Sequence, residues 1–324
     1  MYSVEWEVST CGPAPVKRRP VVGKIEKSGL TFAAMRITVF SRGPQLYSTR
    51  RLVEAAKTAG HEVEVVDHAR CSPFVQGSKS QLLHNGSPLR LGQVAIPRIG
   101  ANITQRGAAV IRQLDVLGVP HTLSAAALLL ARDKSCCLQE LTRHGVDVPR
   151  TVLCHSVFEA RMVARRLGPF PVVVKLLEST HGVGVALAHN LYQLERLVEG
   201  FLQLQESVLL QEYIRESEGR DVRAFVVGGK VVAAMERRAA AGEFRANMHR
   251  GATAEGIQLR PEEHELVLRT AELVGVEVAG VDLIASKRGP LVMEVNASPG
   301  LEGIEGATRV DIAGAIVKYA VSKI

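Results

Sequence analysis

The sequence predicts an α/β and α+β protein of two or three domains, and three observations carry that expectation. From Met35 onward, β-rich runs alternate with amphipathic helical stretches, the pattern of parallel strands joined by helices. Past residue 220, β-rich runs come in pairs joined by short glycine turns, the pattern of antiparallel hairpins. The chain has 324 residues, 46% apolar and 23% charged, which at ~100–200 residues per domain is enough for several packed cores.

Each element follows in turn. Residues 1–34 mix Pro13, Pro15 and Pro20 with Lys17-Arg18-Arg19 and show no sustained period. They lack the apolar core of ~7–15 residues that a secretory signal needs, and read as a disordered extension or a stretch ahead of a misassigned start, with Met35 the natural opening. A strand is expected at Arg36–Phe40, then a helix from about Ser48 with Leu52, Ala55, Ala56 and Ala59 on one face and Gly60 as its stop. Glu62–Val66 alternates as a strand, and a strand near Val94–Ile96 and a helix over 104–117 complete an N-terminal α/β domain, 35–126.

Ser124 is placed to cap one helix, and a second is expected over 133–145. Strands are expected at 148–153, 172–175, 183–188 and 208–213, with helices over 156–168, opened by a Ser156/Glu159 capping box, and 191–204. These elements occupy 127–213. The remainder, 214–324, begins with a hairpin of Val222–Val227 and Val231–Met235 around Gly228-Gly229. A helix from Pro261 to Val274, paired strands at 278–285 and 291–295, and a final helix over 310–322 follow.

Composition narrows the function. Forty Lys and Arg against 33 Asp and Glu leave +7 with His neutral, a balance that suits nucleic acid or an enzyme handling ATP and acidic substrates. Aromatics are only 4%, which argues against stacking platforms for single strands, so no direct nucleic-acid contact is required. The longest clean apolar run, 125–131, is far short of the ~20 residues of a membrane span. Five Cys without a C-x-x-C pair read as reduced thiols, and the expected location is cytoplasmic.

The chemistry concentrates in a few places. In Glu294-Val295-Asn296, strand alternation puts the carboxylate and the amide on one face, and antiparallel pairing can bring Asp282 beside them. Asp282 alone reads more readily as a strand residue facing water. As a set, three oxygen donors without Cys or an obligatory His select a hard cation, Mg²⁺ or Mn²⁺. The stretch 178–184, Glu-Ser-Thr-His-Gly-Val-Gly, is either a phosphate-cradling loop with Gly182 and Gly184 or a plain hairpin. Lys175, ending an apolar strand just before it, favours phosphate, because a buried ammonium needs a partner. Glu212 and Tyr213 end another apolar strand, as an adenine-pocket edge or as ordinary edge residues, and Asp221 is placed to meet a ribose hydroxyl. Arg237, Arg238, Arg245 and Arg250 crowd one polar stretch, either as forks for carboxylates and phosphoryl oxygens or as solvated charge.

Taken in order, these elements resemble the ATP-grasp superfamily, and within it the RimK-type ligases. The most specific stretches are Ser41-Arg42, Leu46-Tyr47-Ser48, Ile96-Pro97-Arg98-Ile99-Gly100, Ala131-Arg132-Asp133-Lys134, 232–238, Ala279-Gly280-Val281-Asp282 and the run 289–305. The resemblance covers the chain from Met35 almost to its end. It implies an ATP-grasp fold behind a Rossmann-like pre-ATP-grasp domain, with a small lid and a larger metal-binding portion. It implies nucleotide contacts at Lys134, Lys175, Glu212, Tyr213, Asp221, Arg245 and Asn247, and metal ligands at Asp282, Glu294 and Asn296. One departure is Ser179-Thr180-His181-Gly182, where such ligases more often carry Gly-Thr-Gln-Gly. The implied activity is ATP-dependent addition of L-glutamate to the acidic C-terminus of ribosomal protein S6 through an acyl phosphate, with two divalent ions per site. Poly-α-glutamate synthesis is a further implied activity, and another acidic acceptor or a non-catalytic ribosome-binding relative are the alternatives. Arg237, Arg245 and Arg250 are the expected catalytic cations, with Arg237, Arg238 and Arg250 facing the acceptor, and a homo-oligomer is expected.

Overall fold

The computed structural model describes residues 34–177, 184–204, 207–240, 242–246 and 251–324. The N-terminal extension, the Ser179–Gly182 departure, Asn247 and Arg250 therefore lie outside the described residues. The chain opens with β1 (Arg36–Phe40), α1 (Tyr47–Thr58) and β2 (Glu62–Val66). A meander of β3 (Cys71–Gln76), β4 (Lys79–His84) and β5 (Ser87–Pro88) follows, then β6 (Val94–Pro97) and α2 (Thr104–Val116). β1 lies between β2 and β6 and runs parallel to both, which the long connections require. The meander has no counterpart in the sequence expectations. Most of β3 faces water, so it lacks the apolar alternation by which strands are read.

Next come α3 (Ala125–Arg132) and α4 (Lys134–Arg143). Their caps are Ser124 and Asp133, which accept from the amides of Ala127 and Cys136. A four-stranded antiparallel sheet is built from β7 (Thr151–Cys154), α5 (Val157–Val163), β8 (Val172–Leu176), β9 (Val185–Ala188), α6 (Leu191–Leu202) and β10 (Val208–Glu212). Its strand order is β7-β10-β8-β9. β7 starts at Thr151 rather than at Val148, consistent with Pro149 having no N–H to give a ladder. The interior of this unit, including Cys154, Leu167, Val174, Leu194, Val198 and Leu210, is a cluster drawn only from its own residues.

The rest of the chain is β11 (Arg220–Val227), β12 (Lys230–Arg238), β13 (Thr253–Gly256), α7 (Pro261–Val274), β14 (Val278–Ser286), β15 (Gly289–Asn296), α8 (Glu302–Thr308) and α9 (Ile312–Val321). The five strands form an antiparallel sheet in the order β13-β12-β11-β14-β15. Gly228 and Gly229, at φ +56° and +73°, make the expected β11–β12 turn, a conformation other residues resist. Alternation splits the sheet between two cores. Ala224 and Val226 pack with α2, α3 and α7, while Phe225 and Val227 pack with α1, α9 and the parallel sheet. α8 was not expected, because its two glycines make a poor helix former. Buried Ile304 and the Glu305 carboxylate, which accepts from Tyr47, Arg51 and the Ala313 amide, hold it in place.

Among the described residues no helix is long and apolar enough to cross a membrane. Cys71, Cys136, Cys137 and Cys154 are free thiols.

Candidate functional site

On the face of the five-stranded sheet that also carries Phe225, the apolar residues give way to a row of charges. Cross-strand pairing generates it. Arg237 of β12 lies opposite Asp221 of β11, Arg223 of β11 opposite Asp282 of β14, and Asp282 opposite Glu294 of β15. A register shift beside Asp282 accommodates an extra residue on β15, a device that re-aims side chains at sites. Asn296, two residues beyond Glu294, shares its face.

The row is tightly bonded. Arg223 grips Asp282 with both prongs, Nε to Oδ1 at 2.7 Å and Nη2 to Oδ2 at 2.6 Å. Arg237 donates Nη2 to the same Oδ2 at 3.0 Å and Nε to Asp221 Oδ1 at 2.6 Å. With its amide oriented to satisfy both neighbours, Asn296 donates to Glu294 Oε1 and accepts from Arg223 Nη2, each at 3.2 Å. Burial pushes the Asp282 carboxyl up, but Arg223 and Arg237 outweigh it and hold the group below its ordinary range. For Asp221 burial wins over Arg237, and its carboxyl is raised. Asp282 Oδ1 accepts only one of these bonds and keeps a lone pair free. Two carboxylates and an amide oxygen, with no thiolate or imidazole among them, fit a hard divalent cation whose remaining ligands come from phosphate or water. No cluster of three or more His, Cys, Asp or Glu suited to a metal occurs among the described residues.

Lys175 and Lys134 approach from the four-stranded sheet and α4. Lys175 Nζ donates to Gln211 Oε1 at 2.6 Å, and Gln211 is itself held by Thr151. Burial lowers the Lys175 ammonium to about 8, with Glu294 the strongest opposing charge and Lys134 adding to the fall. Lys134 opens α4 and donates to the Leu177 carbonyl at 2.6 Å. Gly184 precedes β9 at φ +72°, and a Cβ there would fall 2.5 Å from Leu176 Cδ1, so this bend admits glycine only. Glu212 ends β10 buried, its carboxylate taken by the Arg150 amide at 2.8 Å and by the Arg150 and Arg288 guanidiniums. Tyr213 meets Phe244 edge-on, with ring centres 6.5 Å apart. Both line an open cavity of about 570 Å³ with Leu187, His189 and Arg245. Arg245 pairs with Glu243 and donates to the Val185 carbonyl at 3.0 Å, tying this segment to β9. Its hydrogen bonds, more than any other contact, pull the Glu243 carboxyl down to about 2.

The sheet thus brings together Asp221, Arg237, Asp282, Glu294 and Asn296, with Lys175 and Lys134 electrostatically coupled to them. Arg238 stands apart, exposed and paired with Glu236 at 2.7 Å. Gly182, Asn247 and Arg250 lie outside the described residues. Sequence reasoning missed Arg223, although Asp221-Val222-Arg223 repeats the period-2 signature that marked Glu294 and Asn296. It also passed over Arg98 and Arg132 within stretches it had singled out.

Comparison with known proteins finds two matching family domains. The RimK pre-ATP-grasp domain matches residues 35–128 and the RimK-like ATP-grasp domain matches 131–320. Proteins named probable alpha-L-glutamate ligase from Alcanivorax borkumensis and probable alpha-L-glutamate ligase 1 from Shewanella amazonensis are each 48% identical over 285 residues. These matches span 88% of this chain and 94% and 95% of the relatives. Among solved structures, a RimK domain ATP-grasp protein from Sphaerobacter thermophilus superposes with a TM-score of 0.68 at 26% identity, covering 88% of this chain and 99% of that one. The ATP-grasp ligase PsnB, solved with a minimal precursor, Mg and ADP, gives 0.68 at 22% identity over 89% and 96%, a likeness of fold alone. The chain belongs to the RimK family of ATP-grasp ligases.

Proposed function

We propose that this ligase joins the amine of L-glutamate to a terminal carboxylate of an acidic chain, with the C-terminus of ribosomal protein S6 as acceptor, through an acyl phosphate. The observation that carries the reading is the charged row Arg237–Asp221–Arg223–Asp282–Glu294, facing Lys175 and Lys134. The relatives' name, alpha-L-glutamate ligase, supports glutamate as the amine.

In this reading Lys134 and Lys175 bind the ATP phosphates, Tyr213 and Glu212 border the base, Asp221 meets the ribose, and Arg245, Asn247, Gly182 and Gly184 close over the nucleotide. Asp282, Glu294 and Asn296 would hold Mg²⁺, or Mn²⁺ on the same donors, which neutralises charge on the phosphoryl oxygens. Arg223 and Arg237 keep Asp282 ionised and aimed, so the role of Arg237 is to position that carboxylate. An acceptor carboxylate oxygen attacks the γ-phosphorus and ADP leaves. The glutamate amine then attacks the acyl carbon, phosphate leaves, and the amine proton passes to solvent. The lid sheet excludes water that would otherwise hydrolyse the acyl phosphate. Intact-mass measurement of purified S6 with ATP, Mg²⁺ and glutamate tests the reading. Increments of whole glutamyl residues are expected with S6 and none with S6 amidated at its C-terminus. No increment on S6, alongside glutamylation of another acidic acceptor, would overturn S6 as the acceptor.

A further inference from the structure

Two guanidiniums stand near the charged row without an ion-pair partner. Arg98 follows Pro97 at the carboxyl end of β6, and Arg132 closes α3. Arg98 donates to the Pro299 carbonyl, and Arg132 Nη2 donates to the Ile99 carbonyl at 2.7 Å. Arg132 Nε is buried without a hydrogen-bond partner. Among the described residues neither side chain forms an ion pair with Asp or Glu, in contrast to Arg223 and Arg237. Burial, reinforced by the charge of Arg132, brings Arg98 down to about 10. A protein does not keep two unbalanced guanidiniums under cover cheaply, and such a pair is poised for an anion.

Position selects which anion. Glu294 lies within electrostatic reach of both Lys175 and Arg132. One carboxylate is therefore a shared neighbour of Lys175 and of Arg132, which in turn stands close enough to Arg98 to repel it. In-line phosphoryl transfer needs its nucleophile on the side away from ADP. Open α/β sheets also bind ligands beyond the carboxyl ends of their parallel strands, where Arg98 sits. The Ile99 amide donates to Ser298 Oγ at 3.1 Å, so the 96–100 turn is clamped to the segment that follows the Asn296 ligand position.

We propose that Arg98 and Arg132 form the carboxylate subsite of the acceptor, holding its terminal carboxylate for attack; this rests on the ligase reading above. Planar guanidinium forks suit a carboxylate better than a lysine would. The test uses the full chain with ADP and Mg²⁺ and a peptide ending in Glu-Glu, as the free acid and as the C-terminal amide, by calorimetry. The wild type should bind the acid more tightly than the amide. Arg132→Met should lose that preference, with acceptor kcat/KM falling about 10–150-fold while ADP affinity holds and the thermal midpoint does not fall. Arg132→Lys should recover only part of it. Because Arg98 also ties down a loop, Arg98→Lys serves as the second variant, scored only by the ratio of acid to amide affinity. An unchanged preference in Arg132→Met, no preference in the wild type, or a rise confined to the KM of ATP or of glutamate would each overturn the subsite. If the wild type prefers the acid yet adds no glutamate to any acceptor, the ligase reading fails and the subsite stands.

Discussion

Lys175 is the place where binding and stability should pull apart. Its ammonium lies partly buried on β8 with an amide oxygen as its hydrogen-bond partner, and burial lowers it from 10.5 to about 8. That drop corresponds to about 3 kcal/mol of destabilisation while the group is charged and the site holds no phosphate. Lys175→Met keeps the volume and removes the charge. For a fold of this size, with an unfolding entropy of ~2 cal/mol/K per residue, the gain should raise the thermal midpoint by ~5 °C. The pH dependence has a definite sign. Between about pH 8 and 10.5 the unfolded chain holds a proton that the folded chain has released, so stability of the nucleotide-free protein climbs with pH across that window. The Met variant should show no such climb. ADP affinity should move the other way, weakening about 10–150-fold through loss of a charged contact to phosphate. Scanning fluorimetry at pH 7 and pH 9.5, with and without ADP and Mg²⁺, reads all three effects. A variant that melts at or below the wild type and binds ADP equally well would refute the reasoning.

Three further outcomes are expected. Glu294→Ala should abolish ADP formation at saturating Mg²⁺ while leaving the thermal midpoint within a degree or two, since it removes a ligand and not core volume; near-normal turnover would sink the metal assignment. His68 is buried with both ring nitrogens unpartnered, and burial lowers it to about 4. As pH falls from 6.5 to 4 the unfolded chain gains a proton first, costing about 3 kcal/mol, and urea titrations of His68→Leu should lack that acid loss. Gly184→Ala, forced into positive φ against Leu176, should cost about 1–3 kcal/mol and slow turnover; an unaffected variant would mean the bend relaxes freely.

The strands and helices with one buried face were readable because burial writes a period into the chain. Glu62–Val66 and the 228–229 turn fall where alternation and glycine put them. The meander β3–β5 and helix α8 were not, because one faces water and the other is held by contacts from α1 and α9 rather than by its own propensity. The same divide runs through the charged row. Glu294 and Asn296 could be placed on one face from spacing alone, whereas the grip of Arg223 on Asp282 joins residues 59 positions apart and exists only through register. Arg98 and Arg132 are subtler, since what marks them is the absence of a counter-charge in three dimensions.

The four-stranded unit keeps its oily interior to itself, and its ties to the rest include Lys134 to the Leu177 carbonyl, Arg245 to the Val185 carbonyl and Arg288 to Glu212. Swinging it away would break these contacts while leaving that cluster packed. A hinge of this kind carries a much smaller heat-capacity change than melting the unit, whose internal cluster it leaves buried. Of these ties only Arg288 to Glu212 is an ion pair, and with Glu212 buried, salt screens it much less than it would a surface pair. The unit can in that sense turn as a body, trading a few polar contacts while its own core stays packed.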